Sequence, residues 1–225
     1  MPVPDNLAAT IDHTLLRPDC TEAQIEQLCQ EARRYRFASA CVPPCYVPLA
    51  ARMLDGSGVA VCTVIGFPLG YASSRTKFRE AEIALAEGAT ELDMVLNISA
   101  LKSGSLAAVQ AEVEDLADLA DVNDALLKVI IETALLSDEE IEMAARLCAE
   151  AGAHFVKTST GFASRGASVA DVELLRRVLP ASVRIKASGG IRTRAQALAL
   201  LAAGADRLGA STGLSILQED EPTHS

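Results

Sequence analysis

The feature that most limits how this chain can fold is a strand–helix alternation that continues from one end to the other. Short apolar runs read as strands at Ala38–Val42, Val59–Phe67, Glu91–Asn97 and Leu126–Thr133, then from Phe155 through Lys157, from Val183 through Lys186, and at Arg207–Ser211, while Ile11–Leu16 reads as either a first strand or an irregular entry segment. Between them lie amphipathic stretches with helix signals. Thr21 with Gln24, Ser137 with Glu140 and Thr193 with Gln196 have capping-box spacing, so helices are expected from each of these points to about Arg36, Glu150 and Ala203. Further helices are expected at Val47–Leu54, from Ser73 or Ser74 to Glu87, from Ser105 to Ala120, from Ser168 to Leu179, and near Leu214–Leu217. Gly88-Ala89-Thr90, Gly152-Ala153-His154 and Gly204-Ala205-Asp206 each follow a helix and precede a strand. A glycine there takes the left-handed conformation cheaply and turns the chain into the next strand.

Strands separated by helices pair in parallel, and Val59–Phe67 is apolar on both faces, as a strand covered on both sides must be. Eight strands is the number that closes a (β/α)8 barrel. The expectation is an α/β fold: a single TIM barrel domain over residues 1–225, with a short N-terminal segment and an acidic C-terminal tail at 218–225 read as frayed. An open doubly wound sheet is the alternative. No GxGxxG follows the first strand, which argues against its nucleotide-binding version.

A net charge of −10 argues against a nucleic-acid partner or an anionic membrane surface, so any bound anion needs a local site. No apolar run reaches the ~18 residues of a membrane span. The N-terminus lacks the basic and apolar regions of a signal peptide, and a cytoplasmic location is expected. The six cysteines contain no CxxC pair and most of them read as small buried hydrophobes, so neither a metal site nor a cofactor is expected.

Alternation along the strands decides which side chains enter the barrel. In ELDMVLN, Leu92, Met94 and Leu96 form the outward apolar set, leaving Asp93, Val95 and Asn97 inside. In LLKVIIET, Lys128, Ile130 and Glu132 face inward; in FVKTSTG, Phe155, Lys157 and Ser159 do; in the following strand, Lys186 and Ser188 do. Asp12, Thr14 and Cys41 join the same interior. A core holding Lys128, Lys157, Lys186, Asp12, Asp93 and Glu132 is costly as pure structure, because buried ion pairs seldom outperform apolar replacements. Lys128 lies toward the bottom of the barrel and reads as structural, whereas Lys157 and Lys186 lie nearer the C-terminal face where barrel active sites sit.

Two adjacent lysines point to a particular chemistry. Each ammonium disfavours protonation of the other, so one amine can be neutral near pH 7 and attack a carbonyl to give a Schiff base. The iminium is an electron sink that permits carbon–carbon cleavage without metal or cofactor, and Asp93 can shuttle the protons. Gly189-Gly190-Ile191-Arg192 after the seventh strand and Gly209-Ala210-Ser211-Thr212-Gly213 at the end of the eighth lie where barrels recurrently bind phosphate.

From Ile11 to about Leu217 the chain resembles the deoxyribose-phosphate aldolase family of class I aldolases. The resemblance rests on IDHTLL (11–16), CTVIGFPLG (62–70), ELDMVLN (91–97), LKVIIET (127–133), FVKTSTGF (155–162), IKASGGIR (185–192) and LGAST (208–212). It implies reversible cleavage of 2-deoxy-D-ribose 5-phosphate to D-glyceraldehyde 3-phosphate and acetaldehyde. It further implies Lys157 as the Schiff-base lysine, Lys186 as the neighbour that eases its deprotonation and assists proton transfer, and Asp93 as proton donor or acceptor. By the same resemblance Asp12 and Thr14 contact substrate hydroxyls, Cys41 forms pocket wall, and Gly161, Gly189, Gly190, Ser211 and Thr212 bind phosphate. Homodimers or homotetramers are common in the family. Two departures stand out. Where some members carry a phosphate-binding lysine after TSTG, this chain has Phe162, and no tyrosine follows Tyr71 to match the C-terminal tyrosine of some members. Phosphate binding would then rest on backbone amides, hydroxyls and Arg192. His13, His154 and Cys45 are expected to have no catalytic role. The alternatives are another phosphate-binding barrel lyase or isomerase that uses Lys157 as a general acid, and a non-catalytic sugar-phosphate sensor.

Overall fold

The computed structural model describes residues 6–217, so the tail at 218–225 lies outside the described residues. Eight parallel strands close into a barrel in chain order, with the last strand paired to the first. They are β1 (Ile11–Thr14), β2 (Ser39–Val42), β3 (Ala60–Ile65), β4 (Glu91–Val95), β5 (Leu126–Ile130), β6 (Phe155–Lys157), β7 (Arg184–Ser188) and β8 (Arg207–Ala210). The helices are α1 (Glu22–Tyr35), α2 (Val47–Leu54), α3 (Ser74–Ala86), α4 (Ile98–Lys102), α5 (Leu106–Val122), α6 (Asp138–Glu150), α7 (Val169–Val178), α8 (Arg194–Ala202) and α9 (Gly213–Leu217).

The local signals act where the chemistry of helix ends requires them. Capping boxes open α1, α6 and α8 at Thr21, Ser137 and Thr193, satisfying backbone N–H groups that a helix start leaves without partners. Gly88, Gly152 and Gly204 take φ of 105°, 83° and 113° between helix and strand, as the repeated Gly-Ala junctions anticipated.

The barrel separates two cores of opposite character. Outward side chains, among them Leu92, Met94, Val129, Ile185 and Ala187, pack with the helices into one continuous apolar layer. Inside, apolar side chains are few: Cys41, Cys62 and Val64 cluster under Leu16 and Phe67, and Val95, Ile130 and Phe155 are buried apart from them. Much of the remaining interior carries charge. Neighbouring Cα positions in a parallel ladder point to the same face, and the register sets Asp93 beside Lys128, Lys157 beside Lys186, and Lys186 beside Arg207.

Two inward assignments are corrected by strands that end early. β4 stops at Val95, and Asn97 instead caps α4, a helix the sequence pattern did not reveal, by accepting the Ala100 N–H at 3.1 Å. β5 stops at Ile130, and Glu132 sits in the left-handed region (φ 53°) with its carboxylate bound by the Thr160 amide and hydroxyl. Glu132 is buried, but it does not join the charges inside the barrel.

Candidate active site

Charged side chains from five of the strands form a closed ring inside the barrel. Arg207 donates to Asp12 Oδ1 at 2.6 Å, and the other oxygen of Asp12 meets Lys186 Nζ at 2.5 Å. Lys186 also reaches Asp93 Oδ2 at 2.7 Å. Asp93 Oδ1 accepts from Lys128 at 2.8 Å, and Lys128 returns through Glu91, at 2.7 Å, to Arg207 at 3.4 Å. Cations and carboxylates alternate around this circuit, so it is electrically balanced. Lys157 is the odd member: its ammonium hangs from Asp93 Oδ2 at 2.7 Å and has no other carboxylate among the described residues.

The ring holds its members' charges in place. Burial alone would push the Asp93 carboxyl up, but Lys128, Lys157 and Lys186 outweigh it and hold it well below 3.8. Asp12 is held low in the same way by Lys186, Lys128 and Arg207. For Lys186 burial pulls the other way, and Asp12 and Asp93 overcome it, keeping the ammonium above its ordinary 10.5. Lys128 and Arg207 are likewise raised against burial by their carboxylates. An unfolded chain would bind protons at these carboxyls near 3.8 and release them from these lysines near 10.5. The carboxylate contribution to stability is therefore complete above 3.8 and is lost as pH falls, whereas the lysine contribution is complete below 10.5 and is lost as pH rises. Urea midpoints measured against pH should thus show a constant contribution from this ring between those limits and a decline beyond each. A ring-dependent step near neutrality, removed by Asp12→Asn, would contradict this.

Above the ring opens a cavity of about 440 Å³. Lys157 is the only ring-linked charge that lines it, with Thr14 and Ser188 nearby. Its upper wall comes from the loops after β6, β7 and β8: Gly161, Gly189, Gly190 and Ser211, with Arg17 and Arg192 at the mouth. Gly189 and Gly190 are both left-handed, with φ of 84° and 76°. Gly166 contributes by what it lacks, since a Cβ there would lie 2.0 Å from the Gly189 carbonyl oxygen. Gly209 does the same below, where a Cβ would stand 3.2 Å from Lys186 Cε, so its bare backbone leaves room for the lysine stem.

The structure thus gathers Asp12, Asp93, Lys157 and Lys186 at the floor and Thr14, Gly161, Gly189, Gly190 and Ser211 around the cavity. It does not bring Cys41 or Thr212 to the wall. Cys41 is fully buried beside Cys62, and the Thr212 hydroxyl turns back to the Ile191 carbonyl at 3.3 Å. Phe162 does line the mouth, half exposed, with its ring edge-on to Phe67 at 5.3 Å. The Sγ atoms of Cys41 and Cys62 and an oxygen of Asp93 lie within 4.8 Å of one another. Three ammonium groups already occupy that carboxylate, which makes the trio a poor cation site. Glu91 and Arg207 escaped the sequence reading. The alternation that found Asp93 also places Glu91, two residues earlier, on the inner face, but a charge at a strand's first position reads as solvent-facing.

Residues 7–219 match the family model described as DeoC/LacD family aldolase. The chain belongs to this family. Within it, the chain is 53% identical over 212 residues to deoxyribose-phosphate aldolase 1 of Bacillus licheniformis, covering 94% of this chain and 95% of that one. It is 50% identical over 220 residues to the deoxyribose-phosphate aldolase of Brevibacillus brevis, covering 98% and 99%. Among solved structures, the tetrameric deoxyribose phosphate aldolase from Aeropyrum pernix superposes with a TM-score of 0.88 at 39% identity, covering 94% of this chain and 89% of that one. No helix among the described residues of this DeoC/LacD aldolase is long and apolar enough to cross a membrane.

Proposed function

We propose that the chain is a class I deoxyribose-phosphate aldolase, cleaving 2-deoxy-D-ribose 5-phosphate reversibly to D-glyceraldehyde 3-phosphate and acetaldehyde through a Schiff base at Lys157. The observation that carries this reading is the placement of Lys157: one ammonium outside a balanced ring, attached to a single carboxylate and facing the cavity. Relatives that bear the same name over nearly the whole chain support the substrate.

The chemistry follows from those positions. The neutral Lys157 amine adds to the aldehyde carbon of the open-chain sugar, and the carbinolamine loses water to give an iminium. Removal of the proton from the hydroxyl two carbons along lets the carbon–carbon bond break, releasing glyceraldehyde 3-phosphate and leaving an enamine on Lys157. Protonation of the enamine and addition of water then free acetaldehyde and restore the amine. Asp93 Oδ2, shared by Lys157 and Lys186, lies where a proton leaving or returning to the reacting nitrogen can be relayed. Lys186 is held protonated at rest because Asp12 and Asp93 both face it, so any proton it lends to a reacting group while Lys157 changes state is regained within the cycle. Gly161, Gly189, Gly190 and Ser211, with Arg192, would hold the phosphate at the cavity's upper wall, and Phe162 offers it an apolar edge instead of a charge.

Replacing Lys186 with methionine should lower kcat about 10²- to 10³-fold, in the range of a lost proton-transfer group, and shift the acid limb of the pH–rate profile upward. A profile identical to the parent's would contradict the role given to Lys186. The Schiff-base step itself is tested by borohydride reduction with acetaldehyde present. A general acid at Lys157, or a non-catalytic sensor, leaves no covalent adduct. Assembly into homodimers or homotetramers is part of the proposal, supported by the tetrameric Aeropyrum relative. Sedimentation as a monomer at the concentrations used for assay would remove it.

A further inference from the structure

We propose that Arg207 and Glu91, at the end of the barrel opposite the cavity, are positioning residues that set how readily Lys157 releases its proton. The inference rests on the Schiff-base reading of Lys157 and concerns what controls it. Arg207 and Glu91 open β8 and β4, and their side chains are 13% and 5% exposed, so they close the ring where it approaches solvent. Neither touches the cavity. Both are nonetheless joined to Lys157 through charges in direct contact: Arg207 through Asp12 and Lys186, and Glu91 through Lys128, each path converging on Asp93.

The argument is one of charge balance in a water-poor interior, where unit charges interact more strongly than in water. The ring contains Arg207, Lys186 and Lys128 against Asp12, Asp93 and Glu91. With Lys157 protonated the cluster carries one surplus positive charge. With Lys157 neutral it carries none. The arrangement therefore disfavours the surplus proton, and Lys157, with the fewest carboxylate contacts and the only opening to the cavity, is where it leaves.

The other groups packed around the cluster do not alter this count. Cys41 and Cys62 face it from β2 and β3 as a hydrogen-bonded pair that shares its protons: the bond with Cys62 lowers the Cys41 thiol, and burial raises the Cys62 thiol. Arg184 on β7 stacks over the Phe155 ring at 4.0 Å instead of entering the ring of charges. Glu132, after β5, is engaged by Thr160. Arg17 and Arg192 stand at the cavity mouth, open to solvent screening.

Charge balance makes two opposite predictions from two neighbouring sites. Arg207→Met deletes a positive charge, so Lys157 should hold its proton more firmly. Glu91→Gln deletes a negative charge and should loosen it. The readout is the initial rate of borohydride trapping of acetaldehyde on the full-length protein as a function of pH. The acid limb is expected to move up by about one pH unit in Arg207→Met and down by about one unit in Glu91→Gln, with similar plateau rates. Arg207→Lys, which keeps the charge, should restore the parent limb. A role in folding alone would not reverse sign between the two variants. If Arg207→Met does not fold, the near-isosteric Glu91→Gln and the charge-conserving Arg207→Lys still decide the matter. Limbs that coincide with the parent's, or both shift the same way, would overturn the proposal while leaving the Schiff base intact. Absence of any adduct in the parent at every pH would instead overturn the Schiff-base reading, and this inference with it.

Discussion

Asp93→Asn is expected to destabilise the barrel by about 3 to 5 kcal/mol and to reduce turnover by at least about 10³-fold. The carboxylate of Asp93 is the hub on which three buried ammonium groups meet, with no solvent exposure of its own. An amide in its place keeps the shape but removes the charge. Lys128, Lys157 and Lys186 would then face one another with only Asp12 and Glu91 to offset them. Removing one partner from a buried ionic network leaves charge uncompensated in a low-dielectric interior, which is the costly case. The surplus would be relieved by loss of a proton, so Asp93→Asn should also be more stable at alkaline than at neutral pH. Urea unfolding at both pH values and kcat with deoxyribose 5-phosphate measure the two effects. A variant as stable as the parent and still active would show that Asp93 is neither the hub nor the relay.

Lys157→Met should behave differently, and the contrast is informative. Activity is expected to fall by about 10⁴-fold or more, because no other amine among the described residues reaches the cavity to take over the covalent step. Stability should change little or rise slightly. Asp93 keeps Lys128 and Lys186, the ring stays closed, and the cluster loses its surplus charge. An apolar chain of similar length also fills the space without demanding a partner. The pair of variants thus separates the ring, which holds the barrel together, from the one lysine outside it. Equal destabilisation by both would mean that Lys157 is part of the structural network.

Much of this site was legible before the structure because a barrel interior follows a simple rule. Alternate strand residues face inward, and Asp12, Asp93, Lys157 and Lys186 obey it, each lying within or at the end of its strand. The rule failed where the strand ended sooner than the apolar run did. Asn97 and Glu132 continue the pattern in sequence, but a helix cap and a left-handed residue redirect them. It was not applied at strand starts, which is why Glu91 and Arg207 were missed. Some features leave no local signal at all. Lys77 on α3 is completely buried, bonding to Glu112 on α5 and to the Val95 carbonyl at the end of β4, each at 2.8 Å. Nothing in its helical neighbourhood distinguishes it from a solvated lysine, since its partners come from distant parts of the chain.

The central claim, that Lys157 carries the substrate as a Schiff base, is tested most directly by trapping the protein with acetaldehyde and sodium borohydride and mapping the modified peptide. One ethyl group per chain is expected, on Lys157 in the Phe155–Gly161 segment, and none in Lys157→Met. An adduct on Lys186 or Lys128 instead, or no adduct in protein that is folded and active on deoxyribose 5-phosphate, would contradict the account.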